Sequence, residues 1–154
     1  MIPLGSKVKD NLTGYEGIAT ARVTYLYGCV HIAVQSPELK DGVPQRERLF
    51  DEQRIGITER VEYEATEPQI QLGSIVRDKI SGLTGVATVW VDELYGTPSI
   101  HITPKELHEG RPIEGISLPE DRVEVLQAQE PKISADSSAT SGSIAEYARP
   151  NNVR

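Results

Sequence analysis

Cysteine, tryptophan, phenylalanine and methionine each occur once in this 154-residue chain, and none of its apolar runs approaches a membrane span. Such a span needs ~20 consecutive apolar residues, so no membrane partner is expected. A lone Cys29 has no internal partner for a disulfide, which suits a reducing compartment better than a secreted scaffold. The opening Met1-Ile2-Pro3-Leu4-Gly5 lacks both a basic and an apolar leader segment, so export is not expected either. Basic side chains are also in short supply, with 16 Lys and Arg against 23 Asp and Glu and a net charge of −7. The charge that gives proteins most of their affinity for phosphate backbones is therefore missing, and nucleic acid is disfavoured as a partner.

What the chain does have is a tandem repeat. Leu4-Gly5-Ser6-Lys7-Val8-Lys9-Asp10 recurs as Leu72-Gly73-Ser74-Ile75-Val76-Arg77-Asp78, and the register runs without a gap to Ile57 and Val125. Roughly 20 of about 54 aligned positions are identical, a density that marks one module used twice. The identities include Gly14 with Gly82, Gly17 with Gly85, Ala19-Thr20 with Ala87-Thr88, Leu26-Tyr27-Gly28 with Leu94-Tyr95-Gly96, Gly42 with Gly110, Glu52 with Glu120 and Arg54 with Arg122. Glycines shared by two diverged copies point to backbone positions that need positive φ or close approach, hence to one chain geometry repeated.

Within each copy the apolar residues alternate with a period near two. Short β-forming runs are cut at Thr13-Gly14, Tyr27-Gly28 and Asp41-Gly42. In the first copy this predicts antiparallel strands near Lys7–Asn11, Gly17–Tyr25, Cys29–Ser36, Arg46–Phe50 and Ile55–Ile57. The polar tetrad Asp51-Glu52-Gln53-Arg54, matched by Pro119-Glu120-Asp121-Arg122, is too short for an α-helix and suits one 3₁₀ turn. A long second strand, a hairpin and a single turn before a short last strand is the order of a small SH3-like barrel. The expected fold is all-β: two tandem five-stranded SH3-like barrels at residues 1–58 and 72–126, an acidic linker at 59–71, and an extended C-terminal arm at 127–154. A single barrel of about 55 residues buries only about 60% of its unfolded surface, so docking of the two copies is expected to help. The linker carries Glu59, Glu62, Glu64, Glu67 and Pro68, with Val61 and Tyr63 alternating among the acids. The arm is rich in Ser and Ala, and Ile133, Ile144, Tyr147 and Val153 are its candidate anchors to a partner.

Candidates for chemistry thin out when each is compared with its counterpart. Cys29 becomes Thr97, His31 aligns with Ser99, His101 with Ala33 and His108 with Lys40, so neither a nucleophile with its base nor paired metal ligands emerge. Cys29 reads as a buried or half-buried small residue, and His101, between Ile100 and Ile102, as the outward residue of an alternating strand. Asp10 and Asp78 precede turn sequences and read as acceptors of backbone N–H groups or partners of Lys9, Arg77, Arg54 or Arg122. The Gly14-x-x-Gly17 spacing lacks the lysine and helix of a phosphate cradle and reads as a hairpin device. No catalytic residue, metal or cofactor is assigned and no enzyme is expected. Tyr15, Tyr25, Tyr27, Trp90 and Tyr95 cluster near the turns and the second strand, and of these Tyr27, Tyr95 and Trp90 are assigned to a partner surface.

The opening Gly-x-x-Gly hairpin resembles a KOW-type element. More broadly, Lys7-Val8-Lys9-Asp10, Thr13-Gly14-Tyr15-Glu16-Gly17-Ile18-Ala19-Thr20-Ala21-Arg22 and Tyr25-Leu26-Tyr27-Gly28-Cys29 resemble small phage and prophage-encoded proteins. Some virion decoration proteins use comparable β modules. The second copy departs from that pattern at Trp90, Asp92-Glu93 and Thr97. The resemblance implies a phage context and no particular activity; taken with tandem modules that lack a catalytic set and an acidic composition, it leads to the expectation of a virion structural protein, a capsid decoration, cement or connector subunit. Its partner would be a phage capsid or tail protein in a multi-subunit assembly, and its location the virion, with the host cytoplasm before assembly. One alternative is a soluble phage-encoded module that sequesters a nucleotide signal or blocks a host protein, for which Arg22, Arg46 and Arg48 would converge with tyrosines. A KOW-like nucleic-acid binder is the third reading.

Overall fold

The computed structural model describes residues 1–129, and these are all-β, with two 3₁₀ turns and no α-helix among them. The first copy runs β1 (Lys7–Asp10), β2 (Glu16–Tyr25), β3 (Val30–Gln35), a two-residue ribbon of β4 (Leu39–Lys40) and β5 (Val43–Pro44), β6 (Arg48–Asp51), a 3₁₀ turn at Glu52–Arg54 and β7 (Ile55–Glu59). The second repeats it as β8 (Ile75–Asp78), β9 (Thr84–Glu93), β10 (Ser99–Thr103), β11 (Leu107–His108), β12 (Arg111–Pro112), β13 (Ile116–Pro119), a 3₁₀ turn at Glu120–Arg122 and β14 (Val123–Gln127). The tetrads thus form the turns their polarity and length dictate.

Each antiparallel pairing of the first copy has its counterpart in the second. The order β7-β1-β2-β3-β6 is matched by β14-β8-β9-β10-β13. Among the described residues β6 does not pair with β7, nor β13 with β14, so the expected closure of each copy into a barrel is not seen. The ten long strands form one continuous sheet instead. What joins the copies is the surplus length of their second strands. β2 has ten residues; Glu16 to Ile18 pair with β1, and Ala21 to Tyr25 pair with β9 along the same edge. In that seam Val23 lies opposite its own counterpart Val91, and Arg22 opposite Asp92 is mirrored by Thr24 opposite Trp90. An approximate two-fold axis therefore passes between Val23 and Val91.

The cores sit on one face of this sheet. Ile2, Leu4, Val8, Ala19, Ile32, Val34 and Ile55 form the first; Ile70, Val76, Ala87, Trp90, Ile100, Ile102, Leu118 and Val123 form the second. The alternating burial of β2 and β9 follows from the two-residue period of a strand. Two glycines are placed by crowding: a Cβ on Gly17 or Gly85 would lie 2.4 Å from the carbonyl oxygen of Gln35 or Thr103.

Buried carboxylates tie each first hairpin to the following 3₁₀ turn. Arg54 grips both oxygens of Asp10 at 2.9 and 2.7 Å, and Arg122 grips those of Asp78 at 2.7 and 2.8 Å. Each aspartate also accepts the backbone N–H of the turn, from Thr13 or Ser81. Lys9 and Arg77 pair elsewhere, with Glu16 and Glu124. The bidentate arginine, helped by the turn's hydroxyl and N–H donors, holds both carboxyls well below the usual range, against the opposing effect of burial. A carboxyl whose acidity is raised by folding contributes stability that is complete above its unfolded pKa of about 3.9 and lost as pH falls further. We therefore expect the urea midpoint to fall steadily below about pH 4. Asp10→Asn with Asp78→Asn should lower the midpoint at pH 7 and flatten its decline in acid; an unchanged acid limb would contradict the assignment.

Candidate functional site

The turns after β2 and β9 divide their residues between the fold and the outside. Gly28 and Gly96 hold φ of +95° and +132°, as their recurrence implies, and the Gly28 N–H closes its turn onto the Tyr25 carbonyl at 2.9 Å. The Leu26 N–H donates to the Thr88 carbonyl at 2.9 Å, and the Leu94 N–H donates to Thr20 at 2.7 Å, so each leucine is drawn to the opposite copy. Leu94 packs against the first core, while Leu26 sits over Gly73 of the second copy. The next residue is left outside: Tyr27 is 91% and Tyr95 85% exposed.

Other exposed apolar side chains also come in equivalent pairs. Leu12 and Ile80, at the tips of the first hairpins, are each 77% exposed. Leu39 and Leu107 stand exposed on the ribbons β4–β5 and β11–β12, whose tips turn through positive φ at Asp41-Gly42 and Glu109-Gly110. Three exposed apolar pairs thus recur in both copies, whereas exposed Val43, Leu49, Ile113 and Ile116 have Arg111, Ser117, Gln45 and Arg48 as their counterparts.

Trp90 does not belong to this surface. It is 5% exposed, in the second core, and its indole N–H donates to Glu120 Oε2 at 3.3 Å. Its assignment to a partner surface is corrected accordingly. Its counterpart Arg22 instead donates to Glu52 from both terminal nitrogens, at 2.8 and 2.9 Å. In both copies this glutamate also accepts backbone N–H groups, from Ile2 to Glu52 and from Gln69 and Ile70 to Glu120. Arg and Trp are thus alternative donors to one anchor, half-buried at Glu52 and buried at Glu120. That role was signalled by the Glu52 and Glu120 identity, though not its purpose.

Cys29 is exposed, because the turn lifts it clear of the sheet, and the expectation of a buried or half-buried residue is corrected. His101 is half-buried on β10, facing Ser117 across the ladder at 3.0 Å, and His31 meets the edge of Tyr25. No cluster of three potential metal ligands occurs among the described residues. Arg22 is engaged by Glu52, Arg48 lies over the Tyr15 ring, and Arg46 is exposed. Ile133, Ile144, Tyr147 and Val153 lie outside the described residues.

The linker is fastened to both copies. The Val61 N–H donates to buried Ser6, and the Tyr63 hydroxyl to Asp92 Oδ2 at 3.0 Å, while Gln69 and Ile70 meet Glu120. Burial, together with the Asp92 carboxylate, raises the Tyr63 pKa. Asp92 is buried and has Tyr63 as the partner of one oxygen. Removing that donor leaves the carboxylate without it in a low-dielectric setting. Tyr63→Phe is accordingly expected to cost about 1–3 kcal/mol by urea titration, and a loss below about 0.5 would show the bond to be dispensable.

Compared with protein-family models, curated proteins and solved structures, the chain matches none.

Proposed function

We propose that this protein is a phage virion structural component, a capsid decoration, cement or connector subunit made of two SH3-like modules and acting through protein–protein contacts. The observation that carries the reading is the duplicated exposure of Tyr27 with Tyr95, Leu12 with Ile80 and Leu39 with Leu107. Exposed tyrosines anchor interfaces well, since they bury a large area at small entropic cost. Equivalent sets related by an approximate two-fold axis suit a partner that itself repeats, as a capsid or tail lattice does. The SH3-like assignment is supported by the order β7-β1-β2-β3-β6 with a 3₁₀ turn between β6 and β7. The phage setting comes from the likeness of the first copy's motifs to small phage proteins.

Quantitative mass spectrometry of salt-washed virions, from a phage encoding this chain, tests the proposal. The expected result is a fixed copy number relative to the major capsid or tail protein. Presence in the infected-cell lysate with none in washed particles would overturn it and favour a soluble binder of a host protein.

A further inference from the structure

On the face of the sheet turned away from the cores, the strand register sets a row of side chains across four strands. Leu49 on β6 stands opposite Ala33 on β3, Ala33 opposite Ala21 on β2, and Ala21 opposite Glu93 on β9. Two alanines in the middle of a row leave a depression, a trough of about 470 Å³ whose floor continues through Val23 and Val91. Leu49 and Tyr95, both exposed, form its walls.

The equivalent row of the second copy is filled. It runs Ser117, His101, Val89 and Tyr25. His101 stands where the first copy has Ala33, its ring held by Ser117 Oγ at 3.0 Å. A Cβ on Gly115 would lie 2.4 Å from His101 Nε2, so the ring takes the space beside the position that corresponds to Glu47. Charge follows the same division. Glu47 and Glu93 line the open trough, and their counterparts beside the filled row are Gly115 and Tyr25. A Cβ on Gly96 would lie 3.3 Å from Glu93 Oε2, which puts that carboxylate over the turn that carries Tyr95. Among the described residues neither glutamate makes an ion pair, and no lysine or arginine lines the trough. Two uncompensated carboxylates thus occur only where the floor is low.

We propose that this trough takes an arginine side chain from a partner protein. The methylenes of such a side chain would lie along Ala33 and Ala21, gaining apolar contact while the charged head stays at the mouth. There Glu47 and Glu93 offer acceptors for the guanidinium N–H groups, and Tyr95 offers a ring for its flat face. A net charge of −7 also favours the approach of a basic segment. The proposal concerns the isolated chain and holds whether or not the partner belongs to a virion.

The test is a methyl NMR titration of the full chain with the probe acetyl-Gly-Arg-Gly-amide. A twin peptide with citrulline in place of the arginine keeps the shape and loses the charge. The arginine peptide is expected to shift the Ala21, Ala33 and Val91 methyl signals saturably in the millimolar range, and to leave Val89 on the filled row in place. The citrulline peptide should bind about ten-fold more weakly, and so should the arginine peptide to the Glu47→Gln, Glu93→Gln double variant. Both glutamates are exposed, so the double variant is expected to keep the wild-type melting transition. Equal responses to the two peptides, an undiminished response in the double variant, or no saturable shift would each overturn the proposal. So would shifts of the same methyls on raising the protein concentration alone, which would make a second copy the occupant.

Discussion

Trp90→Ala is expected to destabilise the protein by about 3–5 kcal/mol, the range for emptying a large aromatic site in a packed core. Trp90 is surrounded by the second core, so truncation leaves a cavity whose walls belong to β-ladders on both sides and cannot readily collapse. The change also removes the indole donor from Glu120, whose other oxygen already holds the Gln69 and Ile70 N–H groups at 2.8 Å. Trp90→Phe should recover most of the packing but not the donor, and so lie between wild type and alanine. Urea titration followed by circular dichroism gives the comparison. A loss below about 1 kcal/mol for Trp90→Ala would return Trp90 to the surface role first expected of it.

Gly17→Ala and Gly85→Ala should each cost about 3 kcal/mol, more than alanine at the glycines of the tight turns. The added methyl would meet a backbone carbonyl of the paired strand at 2.4 Å and a core methyl at 2.8 Å, from Val34 or Ile102, so two ladders would have to spread. At Gly28 nothing lies within 4 Å of the added carbon, and the left-handed φ alone is strained. Gly28→Ala is therefore expected to cost about 1 kcal/mol. Thermal melts of the three variants provide the check: a Gly28 variant less stable than either of the others would contradict the crowding argument.

Much of this was legible in the chain because the repeat served as an internal control. Shared glycines marked both kinds of special backbone: positive φ at Gly28 and Gly96, close approach at Gly17 and Gly85. The recurring Asp10 and Asp78 signalled a turn acceptor or an ion pair, with Arg54 and Arg122 among the candidate partners that the structure selects, and the polar tetrads signalled a turn. The long second strand was also visible. Its use was not, because alternation tells which face of a strand is buried and nothing about which strand takes its free edge. That gap is why the seam between β2 and β9, and the open sheet it completes, came only with the structure.

Trp90 misled for a related reason. Its counterpart is Arg22, a residue type common on surfaces, and only half-buried Glu52 and buried Glu120 explain why both positions turn inward. Tyr63 sat in an acidic linker whose alternation left open whether it docks, and it is the buried Asp92 that gives its hydroxyl an acceptor. In both cases the deciding group lies far along the sequence, where local periodicity has no reach. Of the exposed pairs, Tyr27 and Tyr95 could be located from their recurrence beside Gly28 and Gly96, whereas Leu12 with Ile80 and Leu39 with Leu107 carry no such signal and were found in the structure.

The claim that these duplicated exposed groups bind a repeating partner is tested most directly by Tyr27→Ser, Tyr95→Ser and the double variant, each titrated onto virions stripped of the protein. Surface changes of this kind should leave the melting transition nearly unmoved, within about 0.5 kcal/mol. Each single variant is expected to lose about ten-fold in apparent affinity, and the double variant at least the product of the two, since two linked contacts act with avidity. Full occupancy by the double variant at wild-type concentrations would contradict the account.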